Sequence, residues 1–365
     1  MQLLCPPKLL QLGTYVHFPI KILSIQMMAG CILSIVMYYG IVLDSSKDGV
    51  KSYQGFLVGY GIVIPLALWL PFQIMNLLDV RGVGFRLGLV CLPMTISLRC
   101  LESMYGFVRG RGTNSNQMLS LWDFVLDSGW IVKPQYDPST GQVYPLTWHR
   151  FAEAFRYHVS LLLLFAVLYQ VTEPFQFSPF VTSVKEPNQV WIAWDVALWY
   201  NTFIQAAMMN ATLAFSVSGV AMLAELYTGV TFQYAITNNP MFQSTSPSDF
   251  WGRRWNNLIH NGLKQGVYKP VRWNTGNRTL ASVAAFVMSG LYHELVWIIL
   301  FTPTSAQLAE GIHPDDPQCC QSCYCHGWMG KQLVFFGWNG VLIALEYAIG
   351  DKVSQWTKPL PQWLK

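Results

Sequence analysis

The sequence predicts an all-α, polytopic membrane protein with about seven to nine transmembrane helices. Charged residues make up only 12% of the chain, about half the ~25% of a soluble domain. Apolar runs recur at roughly the 20-residue length that crosses a bilayer. These runs are continuous rather than alternating, so their backbone groups pair within helices and not around a closed barrel.

The first run, Ile22–Leu43, is longer than a signal-peptide core and lacks a small-residue cleavage site, so it reads as a membrane helix. Gly55–Leu78 is a second span. Arg86–Leu101 is short, contains Pro93 and holds Arg99 near its end, which leaves it either spanning or half-inserted. Phe155–Val171 follows. Trp191–Tyr227 is too long for one upright helix, and is either one tilted helix or two segments broken near Asn201 or Gly219. Leu280–Phe301 and Val334–Gly350 complete the set. Tandem repeats and low-complexity linkers are absent, so residues 1–365 read as a single membrane domain with two notable connections, 232–279 and 302–333.

Charge distinguishes those connections. Residues 232–279 hold Arg253, Arg254, Lys264, Lys269, Arg272 and Arg278. Residues 302–333 hold only Lys331 against Glu310, Asp315 and Asp316, and the tail is basic again. Positive residues favour the cytosolic side, so 232–279 is expected in the cytosol and 302–333 in the lumen. The acidic connection also carries Cys319, Cys320, Cys323 and Cys325 beside His326. Disulfides suit an oxidising lumen; a zinc site is the competing reading, although the spacing does not match paired C-x2-C knuckles. The net charge of +4, scattered outside one connection, does not point to nucleic acid.

Ionisable residues inside spanning helices are functional candidates. His293 and Glu294 are the only such pair between Arg278 and Glu310. Counted from Leu280, His293 lies roughly 20 Å along its helix, past the midplane. Ser289 and Trp297, four residues to either side, share its face. Glu294 points about 100° away and is expected to bond a neighbouring helix. A neutral histidine can take a proton near pH 7, and here it would do so for a substrate held in the bilayer. A packed, hydrogen-bonded core histidine is the alternative. The second group is "FWGRRWN", Phe250–Asn256. It reads either as an interfacial helix with tryptophan in the headgroup belt, or as a dock for an anionic ligand that arginine grips bidentately and tryptophan stacks against.

Taken together, "FWGRRWN", "GVYKPVR" (Gly266–Arg272) and "SGLYHEL" (Ser289–Leu295) resemble the plant and algal wax synthase family of the membrane-bound O-acyltransferases. Asn256 precedes His293 by 37 residues. "LDVRGVGFRLG" (Leu78–Gly88) and His326–Glu346 resemble further stretches of that family, and motif likeness is strongest over Asp249–Leu300. The resemblance implies a multi-pass endoplasmic-reticulum enzyme that moves a fatty acyl group from acyl-CoA to a lipophilic alcohol. A long-chain fatty alcohol, giving wax esters, is the expected acceptor; sterols and diacylglycerol are alternatives, and a transporter is the reading from another class. Carried over by position, the catalytic histidine falls on His293 and the motif asparagine on Asn256, while Phe250, Trp251, Arg254 and Trp255 match the acyl-CoA-handling region. Ser289 and Trp297 are added as substrate contacts from their shared face. The implied chemistry needs no metal and no cofactor beyond acyl-CoA as co-substrate; its partners are acyl-CoA, the alcohol and membrane lipids.

Overall fold

The computed structural model describes residues 12–43, 52–106, 119–172, 196–311 and 330–357. Among these, seven helices are long and apolar enough to cross a membrane: Lys21–Val42, Tyr53–Leu77, Phe85–Met104, Trp148–Leu168, Ala206–Thr228, Arg278–Phe301 and Lys331–Gly350. They are called spans one to seven below. Among the described residues, β structure is confined to three isolated bridges.

Two ambiguous segments resolve clearly. Span three lies in an unbroken helix, Val83–Met104, despite Pro93 in its interior. Its arginines do not shorten it because both are bonded within the protein. Arg99 pairs with Glu102 at 2.5 Å and Asp127 at 3.3 Å, and a buried charge is tolerated only with such partners. The segment with two possible forms is one continuous helix, Val196–Thr228, with no break at Asn201 or Gly219. Its 33 residues would measure roughly 50 Å, longer than an upright crossing requires. Cys319, Cys320, Cys323 and Cys325 lie outside the described residues.

Spans one to three share a core built from Leu33, Met37, Ile41, Val63, Ala67, Leu92 and Ile96. A second core joins Ile74, Met75 and Leu89 to Ile299 of span six. Spans four and five form a hairpin in which His158 Nδ1 lies 2.8 Å from Ser218 Oγ. This hairpin meets the connections through Val217, Ala221, Val132, Phe232 and Ile236. Spans six and seven pack closely where Gly290 faces Leu333: a methyl group added at Gly290 would lie 2.8 Å from Leu333 Cα. Small residues allow such backbone approach between membrane helices.

Polar ties mark the two ends of the bundle. At one end Arg86 donates to the carbonyls of Val80, Leu300 and Thr302 and to Gln307 Oε1. Two of these carbonyls close the end of span six, where helix acceptors lack intrahelical partners. Nearby, Thr304 Oγ1 donates to Asp79, and Arg81 bridges Asp79 and Glu310. The opposite end carries the bridges Pro134–Phe232 and Pro145–Val230 and the basic connection. This second end positions the candidate site.

Candidate active site

The basic connection is built from short helical pieces whose sequence explains their shape. Phe250–Arg254 is a π turn. Trp255 is then extended, and Asn256 adopts the left-handed conformation at φ 38°, ψ 68°. Asparagine tolerates that region better than most non-glycine residues. Its side-chain oxygen accepts the backbone N–H of Ile259 at 3.3 Å, capping helix Asn257–Leu263. A further π turn, Lys264–Tyr268, leads into Lys269–Thr275. Pro270, early in that last piece, has no N–H to offer the preceding turn. Gly266 lies against the Leu98 backbone, where a Cβ would sit 2.6 Å from the carbonyl oxygen, so the second motif seats directly on span three.

The aromatic residues of the first motif converge on spans six and seven. Phe250 stacks on Trp255 with centroids 5.5 Å apart and meets Trp251 edge-on at 4.9 Å. Trp251 contacts Phe286 at 6.0 Å and Phe336 at 5.7 Å. Its indole N–H donates to Asn339 Oδ1 at 3.0 Å. Phe336 in turn packs on the His293 ring at 4.1 Å. Thus Phe250, Trp251, Trp255 and His293 belong to one contiguous aromatic cluster, with Phe336 as the shared member.

His293 has a defined orientation. Its Nδ1 lies 2.7 Å from the carbonyl oxygen of Ser289. A carbonyl can only accept, so Nδ1 carries the hydrogen and the neutral ring keeps its lone pair on Nε2. Ser289 is buried and contributes its carbonyl to this arrangement. Trp297 stacks on Phe301 at 5.1 Å, one turn beyond the histidine. Glu294 makes the interhelical bond anticipated for it: Oε1 accepts the backbone N–H of Gln332 at 2.8 Å and of Leu333 at 3.2 Å.

The two adjacent arginines differ sharply. Arg254 donates to Asp249 Oδ2 at 2.7 Å and Gln243 Oε1 at 2.9 Å, with a longer bond to the Asn238 carbonyl. Its guanidinium, joined by the Thr245 N–H, holds the Asp249 carboxyl below the usual carboxylate range. Arg253 instead leaves 82% of its side chain exposed, 3.9 Å from Asp249, and Lys264 is also exposed. On the following helix, burial pushes the His260 imidazole below its ordinary value, and Lys264 adds to the effect.

Four contributors to this site carried little individual signal in the sequence. Asp249 looks like an ordinary loop acid until Arg254 folds back on it. Glu346 accepts both the N–H and the hydroxyl of Ser248, at 2.9 and 2.6 Å; the last-helix resemblance marked the residue without revealing this partner. Phe336 and Asn339 are spaced as one face of span seven, a pattern shared by any packed helix.

Comparison with known proteins then places this arrangement. Residues 234–311 match the profile of the Membrane bound O-acyl transferase family. The family match rests on that segment, in a chain with seven membrane-length helices among its described residues. The relatives the chain resembles include long-chain-alcohol and sterol acyltransferases of plants. It is 41% identical over 75 residues to a probable long-chain-alcohol O-fatty-acyltransferase 9 of Arabidopsis thaliana, covering 18% of this chain and 22% of the relative. An acyl-CoA–sterol O-acyltransferase 1 of the same plant is 30% identical over 128 residues, or 33% and 30% of the two chains. The long-chain-alcohol O-fatty-acyltransferase of Simmondsia chinensis is 26% identical over 260 residues, 66% and 65%. The matches therefore span between about a fifth and just under two thirds of these relatives' length.

Proposed function

We propose that the protein transfers a fatty acyl group from acyl-CoA to the hydroxyl of a lipophilic alcohol, with a long-chain fatty alcohol as acceptor and a wax ester as product. The observation that carries this reading is the orientation of His293: Nδ1 is committed to Ser289 and Nε2 is left as a base within a membrane-length helix. An alcohol entering from the bilayer would give its proton to Nε2 while its oxygen attacks the thioester carbonyl. The C–S bond then breaks, coenzyme A leaves as thiolate, and the histidine's proton passes to it. Asn256 Oδ1 is engaged as a cap, so the Nδ2 amide is the group with which this residue would polarise the thioester carbonyl. Loss of one such donor typically costs about 10²–10³ in rate.

The connection 232–279 fits a cytosolic dock for the coenzyme A portion, with Arg253 and Lys264 turned outward toward phosphate. Arg254 holds the loop that presents them. The aromatic cluster then leads from that mouth toward His293. We place the protein in the endoplasmic-reticulum membrane, with 302–333 facing the lumen. A sterol as acceptor is the second reading, favoured by the 128-residue similarity to the sterol acyltransferase.

Expression in yeast lacking its own neutral-lipid acyltransferases tests both readings. Lipids are separated with and without added fatty alcohol, beside His293→Ala as control. Wax ester that depends on both the alcohol and His293 supports the proposal. Steryl ester without wax ester moves the assignment to the second reading, and ester formation at the wild-type rate in His293→Ala removes the histidine from the mechanism.

A further inference from the structure

We propose, on the basis of that functional reading, that Glu294 is a positioning residue: its carboxylate caps the start of span seven and thereby fixes Phe336 against the His293 ring. A helix begins with N–H groups that have no intrahelical partner. In span seven, two of them, on Gln332 and Leu333, donate to the same Glu294 oxygen. This capping group comes from a different helix. It also sits immediately beside His293 in sequence, so the start of span seven is registered against the histidine's own backbone.

The crossing geometry reinforces this dependence. Gly290 and Leu333 meet backbone to backbone, with no room for even a methyl group. The cap therefore lies at a close approach of the two helices. Phe336 follows the second capped residue by three positions, about one turn, and is buried against His293. Without the carboxylate, two N–H groups would be left unpaired in an apolar setting, and the first turn would loosen to find other partners. Phe336 would move with it, freeing the imidazole to rotate away from the Ser289 carbonyl and misdirect Nε2.

The competing role for an acid beside a histidine is electrostatic support of the imidazolium. Among the described residues, however, Glu294 hydrogen-bonds the two N–H groups and not the ring. An amide oxygen at the same place can accept the same bonds but carries no charge, so Glu294→Gln separates the two roles.

The test uses the full chain purified in detergent, as wild type, Glu294→Gln, Glu294→Ala and His293→Ala. Transfer from oleoyl-CoA to hexadecanol is titrated in each substrate, and kcat is followed between about pH 5.5 and 8.5. Thermal unfolding is measured on the same samples. The expected result is that Glu294→Gln stays within about threefold of wild type, whereas Glu294→Ala loses more than about tenfold in kcat with both KM values unchanged. The midpoint of the pH profile should be the same in all active variants. Equal loss in Gln and Ala, a shifted pH midpoint in Glu294→Gln, or full activity in Ala would overturn the proposal. Should wild type transfer no acyl group to any acceptor, the functional reading fails by itself. The cap is then judged by unfolding temperature: lowered in Ala and retained in Gln supports it, and equal temperatures in all three overturn it.

Discussion

At the scale of single residues, Asn256 and His260 show how one connection combines conformational and electrostatic constraints. Asn256 is both a left-handed residue and a cap, so the effect of replacing it is not by itself evidence of catalysis. Loss of an asparagine cap costs about 0.5–2 kcal/mol, and a left-handed β-carbon adds roughly 1–2 kcal/mol of strain. Asn256→Asp should retain the cap and the fold while lowering kcat if the amide N–H serves the carbonyl. Asn256→Gly should retain the backbone conformation, lose the cap and lower kcat similarly. Unfolding temperatures beside kcat distinguish these effects, and wild-type kcat in the aspartate variant would leave Asn256 a purely structural residue. His260 predicts a pH effect. Its value in the folded chain lies below the ordinary 6.5, so the opened chain binds the proton more readily. Helix 257–263 is therefore least burdened above about pH 6.5 and loses stability as the pH falls from there toward the depressed value. Protection factors across 257–263, corrected for the intrinsic pH dependence of amide exchange, should fall on acidification, and His260→Gln should flatten that dependence.

At the scale of elements, the pairing of spans six and seven places a tight demand on the sequence. Gly290→Val would push a branched side chain into the Leu333 backbone. Overpacking of this kind costs typically about 1–3 kcal/mol, so the variant should unfold at lower temperature and release Phe336 from His293. An unfolding temperature equal to wild type would show that the helices can part at no cost. Much of this level was legible in advance. The apolar runs located all seven candidate spans because length and hydropathy are local properties. Span three was harder, since the partners that neutralise Arg99 include Asp127 in a later connection. The roles within the site were harder again. The pairing of Arg254 with Asp249, the capping by Glu294 and the hold of Glu346 on Ser248 are choices of partner across as many as 98 residues, and charge pattern does not encode them. By contrast, the orientation of His293 depends on a carbonyl four residues away, and the helical register brought Ser289 to notice.

At the scale of the whole molecule, the polar ties sort the connections between two ends. Residues 79–86 gather with 300–310, and the basic connection gathers with 130–145 at the other end. If the basic end faces the cytosol, Asn277, in the sequence Asn-Arg-Thr, never meets the lumenal glycosylation machinery. No mobility shift on glycosidase treatment is expected, and a glycan at Asn277 would reverse the orientation. Protection of Arg253 and Lys264 from protease in sealed microsomes would do the same.

Span six is anchored at both extremities by neighbouring protein groups. At its start Arg278 lies over the Tyr347 ring of span seven's helix, 4.0 Å from the centroid, and at its end Arg86 grips the carbonyls. A helix tethered in this way resists sliding along its own axis when the surrounding bilayer thins or thickens; accommodation falls instead to tilt and to less constrained helices. His293 consequently behaves as a fixed mark on a ruler whose zero is set by the protein and not by the lipid. The chain length of the ester produced should then follow the geometry of this mark and remain the same in short-chain and long-chain phospholipid vesicles, even where the overall rate changes.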